Sequence, residues 1–170
     1  MLRVPYQVDP VESSGKTEIL DKTGLSFMKI ALGEARAAAK RGEVPVGAVV
    51  VRDGKLVSSA GNRTREMNDP TAHAEVLAIR AACQVLETER LTGCDLYVTL
   101  EPCAMCAGAI SFARLGRLYF GAGDVKGGAV ENGPRFFSQQ TCHHTPEVYS
   151  GIEEVQAAEL LREFFKARRE

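Results

Sequence analysis

What this chain can fold into is constrained most by two short segments, His73-Ala74-Glu75 and Pro102-Cys103-Ala104-Met105-Cys106, each opening a stretch of helical periodicity. Together they supply one imidazole, two thiols and a carboxylate. A helix start carries unpaired N–H groups and the positive end of the helix dipole, and both favour thiolate over thiol. Cysteines at i and i+3 lie on one helical face and can reach one ion, whereas residues two apart do not share a face, so Glu75 reads as a neighbour of a metal and not as a ligand. Zinc takes nitrogen and sulfur ligands in a tetrahedron, and a catalytic site keeps three protein ligands and leaves the fourth position to water. His73, Cys103 and Cys106 fit that count.

Each signal alone has other readings. A lone C-x-x-C also serves as a redox pair or as half of a structural zinc knuckle, although the Ala-Met spacer and preceding proline suit a redox pair poorly. A structural site needs a fourth ligand, for which Cys83, Cys94, Cys142, His143 and His144 are the candidates. Adjacent residues converge on one ion only with irregular backbone, so Cys142-His143-His144 is expected to be loop surface or a substrate contact. Cys83 and Cys94 are expected in the core, where free cysteine is common.

The flanking pattern alternates strands and helices. Leu25 to Arg41 places Phe27, Ile30, Ala31, Leu32, Ala35, Ala38 and Ala39 near helical spacing, with Gly42 as a stop. Val46 to Val51 is a buried strand, Asp53-Gly54 a turn, and Leu56 to Ala60 the return strand of a hairpin that leads to Asn62. After the polar loop Arg63 to Asp69, Pro70 and Thr71 offer helix-start chemistry, and Ala72 to Leu86 reads as a helix with His73 and Glu75 in its first turn. Asp95 to Leu100 is a strand, Cys103 to Ala113 a helix with Pro102 at its first position, and Arg117 to Gly121 a strand. Gly121 to Ser150 reads as irregular. Glu153 to Arg169 is an amphipathic helix expected to pack on the sheet. This order predicts a three-layer α/β/α domain over residues 25–170 with crossover connections, preceded by a flexible tail over residues 1–24.

Composition narrows the classes. At 170 residues the chain has room for one domain with a substantial core. No apolar run approaches the length of a membrane span, so no membrane association is expected. A net charge of −1 excludes a globally basic nucleic-acid footprint, leaving only local contacts, with Lys166, Arg168 and Arg169 at the C-terminus available to phosphate. Five cysteines without a secretory leader point to a reducing, cytoplasmic setting.

The joint signature H-x-E with P-C-x-x-C is that of the zinc nucleobase deaminases, a recognised motif. The longer strings D-P-T-A-H-A-E (Asp69 to Glu75) and T-L-E-P-C-A-M-C-A-G-A-I (Thr99 to Ile110) resemble the bacterial tRNA adenosine deaminases of the TadA family. So do V-P-V-G-A-V-V (Val44 to Val50), G-N-R (Gly61 to Arg63) and the terminal F-F-K-A-R-R. The resemblance runs from about Leu25 to the end. It implies the cytidine-deaminase-like fold with a central mixed sheet of about five strands, one zinc per subunit, a homodimer, and hydrolytic deamination of the wobble adenosine of a tRNA anticodon loop, as in tRNA-Arg, to inosine.

Residue by residue, the resemblance implies zinc ligation by His73, Cys103 and Cys106 and proton shuttling by Glu75. It implies base contact by Asn62, a pocket position for Val46 and a rim position for Phe165. Asp124, in Gly-Ala-Gly-Asp-Val-Lys, matches the loop that contacts the anticodon sugar-phosphate, and Arg168 and Arg169 are expected at the RNA. Gly123 and Thr64 depart from the residue mix seen in the family, and Gly127 to Tyr149 is assigned no contact. Deaminases of free guanine, cytosine or cytidine share both zinc motifs and form the rival reading. A structural zinc module or a silent deaminase subunit is a third, against which the presence of Glu75 argues.

Overall fold

A computed structural model describes residues 25–169; the expected N-terminal tail lies outside the described residues. The elements are α1 (Leu25–Lys40), β1 (Gly47–Arg52), β2 (Lys55–Gly61), α2 (Ala74–Leu86), β3 (Cys94–Leu100), α3 (Ala104–Phe112), β4 (Arg117–Ala122), a 3-10 turn (Phe136–Ser138), β5 (Glu147–Tyr149) and α4 (Glu154–Ala167). The five strands form one sheet in the order β2-β1-β3-β4-β5. The β1–β2 and β1–β3 pairs are antiparallel, and β3–β4 and β4–β5 are parallel. The sheet is therefore mixed, with the β3-α3-β4 unit as a crossover.

Helices cover both faces. On one, Ala74, Ala78, Ile79 and Ala82 of α2 and Ile110 of α3 close over Val50, Leu96, Val98, Leu118 and Phe120. On the other, Phe27, Met28 and Ala31 of α1 pack on Val49, Val51 and Tyr97, and Leu32 joins Ala122 and Ala157 of α4. Both sides of β1 are thus dry along residues 47–51, which is why Val46 to Val51 reads as a continuous apolar run. Among the described residues no helix is long and apolar enough to cross a membrane.

Gly47 and Gly61 are register partners on β1 and β2. A methyl group at Gly47 would fall on the carbonyl of Ala31 at 1.9 Å, and one at Gly61 would lie 2.8 Å from the carbonyl of Glu34. The paired glycines form a dent that admits the backbone of α1, which explains a glycine in each of V-P-V-G and G-N-R.

Three expectations are corrected. The stretch from Gly121 to Ser150 is not wholly irregular, because Glu147–Tyr149 pairs in parallel with β4 as the edge strand. Three residues are too few to show a period. The second and third helices start later than their patterns suggested, with His73 and Cys103 as N-caps instead of helical residues, and Pro102 before the cap. The terminal helix is less deeply packed than its apolar face implied: Ala157 is its buried residue, while Val155 and Phe165 are 64% and 45% exposed.

Candidate metal centre and substrate groove

The caps explain how the ligands are aimed. His73 (φ −73°, ψ 150°) and Cys103 (φ −72°, ψ 174°) are both extended, and neither side chain caps its helix. Their carbonyls accept the first helical hydrogen bonds, from Leu77 N–H at 3.0 Å and Ala107 N–H at 2.8 Å. Each side chain is left free at a helix mouth. Upstream of His73, Asp69 Oδ1 accepts from Thr71 N–H (2.8 Å) and Thr71 Oγ1 (2.7 Å), closing a turn that delivers the chain to the cap.

His73 Nδ1 lies 3.7 Å from Cys103 Sγ and 3.6 Å from Cys106 Sγ, and the three donor atoms all fall within 4.8 Å of one another. Tetrahedral bonds of about 2.3 Å to sulfur and about 2.0–2.1 Å to nitrogen put such donors about 3.6 Å apart, so the set fits zinc. Cys106 is fully buried. The Cys103 thiol is pulled down to about 4, chiefly by the hydrogen bond from the Cys106 thiol and further by His73, against the opposing effect of burial. Cys106 is driven far up, as donor in that bond and by burial. A dication held by both sulfurs would displace any proton left on them.

Glu75, in the first turn of α2, is buried at 4% exposure. Burial pushes its carboxyl up to about 7, against a counteracting hydrogen bond from its own backbone and the charge of His73. A carboxylate that exchanges protons near neutrality beside a metal-ligand set suits general acid–base work.

The sequence matches the model of the cytidine and deoxycytidylate deaminase zinc-binding region over residues 21–122. The chain belongs to the cytidine and deoxycytidylate deaminase family. Among its relatives, the tRNA-specific adenosine deaminase of Agrobacterium fabrum is 65% identical over 143 residues, covering 84% of this chain and 94% of its own. A solved structure from work on A-to-I editing by tRNA:A34 deaminases at the wobble position superposes with a TM-score of 0.79 at 65% identity, covering 80% of this chain and 99% of that one. The guanine deaminase of Bacillus subtilis is 44% identical with a TM-score of 0.56, covering 58% of this chain and 63% of that one.

In this deaminase the remaining expected residues fall into two groups. Val46 and Asn62 adjoin the metal centre. Asn62 N–H donates to the Val46 carbonyl at 3.1 Å, and Asn62 Oδ1 accepts from Ala74 N–H, the first residue of α2, at 2.8 Å. The oxygen end of the amide is spent on the helix start, so its orientation is fixed and its NH2 end is the donor left for a ligand. Asp124, Phe165, Arg168 and Arg169 converge instead on a separate groove of about 660 Å³, with Val44, Leu100, Lys126, Gly127 and Leu161.

Several groove residues have partners of their own. Asp124 Oδ1 accepts from the N–H groups of Lys126 and Gly127, both at 3.0 Å. Arg168 donates to the Gly42 carbonyl and lies 4.2 Å above the Phe164 ring. Arg169 donates from Nε to the Phe165 carbonyl at 3.4 Å. The Cys142-His143-His144 cluster does not converge: Cys142 Sγ donates to the His144 carbonyl, His144 Nε2 bonds to the Leu115 carbonyl, and the His143 ring faces Phe112. Among the described residues His73, Cys103 and Cys106 are the metal-competent group, with no fourth protein ligand of the kind a structural site needs. Cys94 is in the core as expected, and Cys83 is half-buried against it.

Two buried carboxylates escaped the sequence reading. Glu43 (1% exposed) and Glu101 (2%) each gather backbone N–H groups from a loop beside the site. The available signal was an acid at each end of a buried strand region, in E-V-P-V-G and T-L-E-P-C. Lys126 adds a cation to the groove in a loop for which only Asp124 was singled out.

Proposed function

We propose that this deaminase converts the wobble adenosine of a tRNA anticodon loop, that of tRNA-Arg, to inosine, acting as a cytoplasmic homodimer with one zinc per subunit. The observation that carries the reading is the presence in one chain of a His73/Cys103/Cys106 donor set with a buried Glu75 and, separate from it, an open groove bearing Lys126, Arg168, Arg169 and an exposed Phe165. Cations beside an exposed aromatic suit a phosphate backbone and a splayed base, and a free base needs neither. The adenosine-deaminase relative, matched across nearly its whole length, supports the same choice.

Zinc held by His73 Nδ1, Cys103 Sγ and Cys106 Sγ supplies Lewis-acid activation of water near neutral pH. Glu75 would take a proton from the attacking water and give it to the adenine ring nitrogen as the C–O bond forms at the neighbouring carbon, then carry the remaining hydroxyl proton to the exocyclic amine, so that the C–N bond breaks and ammonia leaves. Adenosine and water become inosine and ammonia. The Asn62 amide holds the base edge, with Val46 against the ring. An anticodon loop presents its bases already free of pairing, which spares most of the few kcal/mol that extrusion from a stem requires.

The test incubates the zinc-loaded protein with a tRNA-Arg anticodon stem-loop carrying a wobble adenosine and, separately, with guanine, cytosine and cytidine. Inosine is expected in the RNA alone. Turnover of a free base without editing of the RNA would replace this reading with the free-base one, which the Bacillus subtilis guanine deaminase match favours. Glu75→Gln is expected to keep its zinc and lower kcat by at least about 10²-fold.

A further inference from the structure

Glu101 is the last residue before Pro102 and the ligand Cys103, and its carboxylate accepts five hydrogen bonds from one distant loop. Oε1 receives the N–H groups of Val130 (3.1 Å), Glu131 (2.8 Å) and Asn132 (2.9 Å). Oε2 receives Asp124 N–H (2.8 Å) and Asn132 Nδ2 (2.7 Å). The backbone adds two ties, Glu101 N–H to the Ala122 carbonyl (2.8 Å) and Ala129 N–H to the Pro102 carbonyl (2.9 Å). Gly128 lies flat against the carboxyl, where a methyl group would approach Glu101 Cδ to 2.5 Å.

Residues 124–132 are thereby closed into a loop around one buried anion. Its near limb carries Asp124, Lys126 and Gly127, one wall of the groove whose other wall is Phe165, Arg168 and Arg169 of α4 and the residues after it. Glu101 holds that limb at Asp124 N–H, Asp124 Oδ1 in turn holds the N–H groups of Lys126 and Gly127, and Val125, Lys126 and Gly127 are otherwise exposed. A buried carboxylate with five donors cannot be exchanged for a neutral amide without setting an NH2 group against N–H groups.

We propose that Glu101 is a positioning residue for the polynucleotide substrate: it sets the groove wall that carries Asp124 and Lys126 in register with the metal-ligand segment beginning two residues later. The inference rests on the RNA reading above. Glu101 touches neither the reacting base nor the metal. Its loss frees the wall to move, so substrate capture suffers while the donor set at His73, Cys103 and Cys106 stays assembled.

The experiment uses the full-length, zinc-loaded protein and compares wild type with Glu101→Gln, Gly128→Ala and Asn132→Ala. Amide exchange is expected to rise at residues 124 and 130–132 in Glu101→Gln, with zinc content unchanged. The KM for the anticodon stem-loop is expected to rise about tenfold or more with kcat within about threefold. Gly128→Ala pushes on the same carboxyl from the other side and should shift KM the same way. Should Glu101→Gln fail to fold, Asn132→Ala removes one donor of the five, and a KM raised several-fold in it carries the test. Unchanged KM despite the lost protection, or a fall in kcat together with zinc, would overturn the assignment. Wild type that leaves the RNA unedited removes the RNA reading itself, an outcome distinct from wild type that edits and a Glu101 variant that edits with unchanged KM.

Discussion

Glu43 does for the loop after β2 what Glu101 does for the loop after β4. Its Oε1 accepts the N–H groups of Arg65 (2.9 Å) and Glu66 (2.8 Å), and Oε2 accepts Thr64 Oγ1 (3.2 Å). Asn62, two residues before this cluster, gains a fixed backbone from it. Glu43→Gln turns an acceptor into a donor facing donors, with an expected loss of about 1–3 kcal/mol in urea unfolding and faster amide exchange at residues 65 and 66. Unchanged exchange there would show that the loop does not depend on the carboxylate. The contrast with the ligands is one of range. His73, Glu75, Cys103 and Cys106 are legible in sequence because each pair is a local spacing and the residue types are those zinc demands. Glu43 and Glu101 find their partners more than twenty residues away, so nothing near them marks the role.

At the scale of elements, the sheet is gripped on one face by α1 and edged by a stack of tyrosines. Because a methyl group at Gly47 would meet the Ala31 carbonyl, which is backbone and cannot swing aside, Gly47→Ala must move α1. The expected cost is about 1–3 kcal/mol, read as a lower urea midpoint with little change in slope. Tyr97, Tyr119 and Tyr149 are register neighbours on β3, β4 and β5, and their rings stack at 4.4 and 4.9 Å. Burial, reinforced by Tyr119, drives the Tyr97 hydroxyl well up from its usual value. A raised acid pKa favours the neutral form in the fold, so this contribution to stability is complete below the unfolded value of about 10 and declines as pH rises from there toward the folded value. In an alkaline titration followed by tyrosinate absorbance, Tyr97 is expected to ionise only with unfolding; ionisation of every tyrosine together near pH 10 in intact protein would contradict its burial. The long helices and strands were legible because each repeats its period several times. The edge strand was not, since Glu147–Tyr149 is chosen by the register of β4 and by Tyr119 beneath Tyr149.

At the scale of the whole molecule, an apolar surface on α2 and α3 lies uncovered among the described residues, and it adjoins the metal centre. Val76, Ile79, Ala109 and Phe112 line it on α2 and α3, with Met105, between the two cysteine ligands, at its border. Phe112 is 71% exposed in the single chain. A twofold interface uses every residue twice, so one substitution on it acts at two symmetric places. A phenylalanine that becomes covered contributes about 2 kcal/mol, and losing two of them weakens a dimer by about 10³-fold. For the homodimer proposed here, wild type should sediment as a dimer at micromolar concentration and Phe112→Asp as a monomer that keeps its zinc, because Phe112 is exposed, belongs to no buried cluster and is not one of the donor residues. A monomeric wild type, or a Phe112→Asp protein that remains dimeric, would assign this face to something other than a second copy. The face is carried by the same two helices whose N-caps are His73 and Cys103, so a dimer contact there would share its supports with the ligand set. Loss of editing by the monomer at full zinc occupancy would then locate the effect of the partner at the rim of the pocket and not in the metal centre.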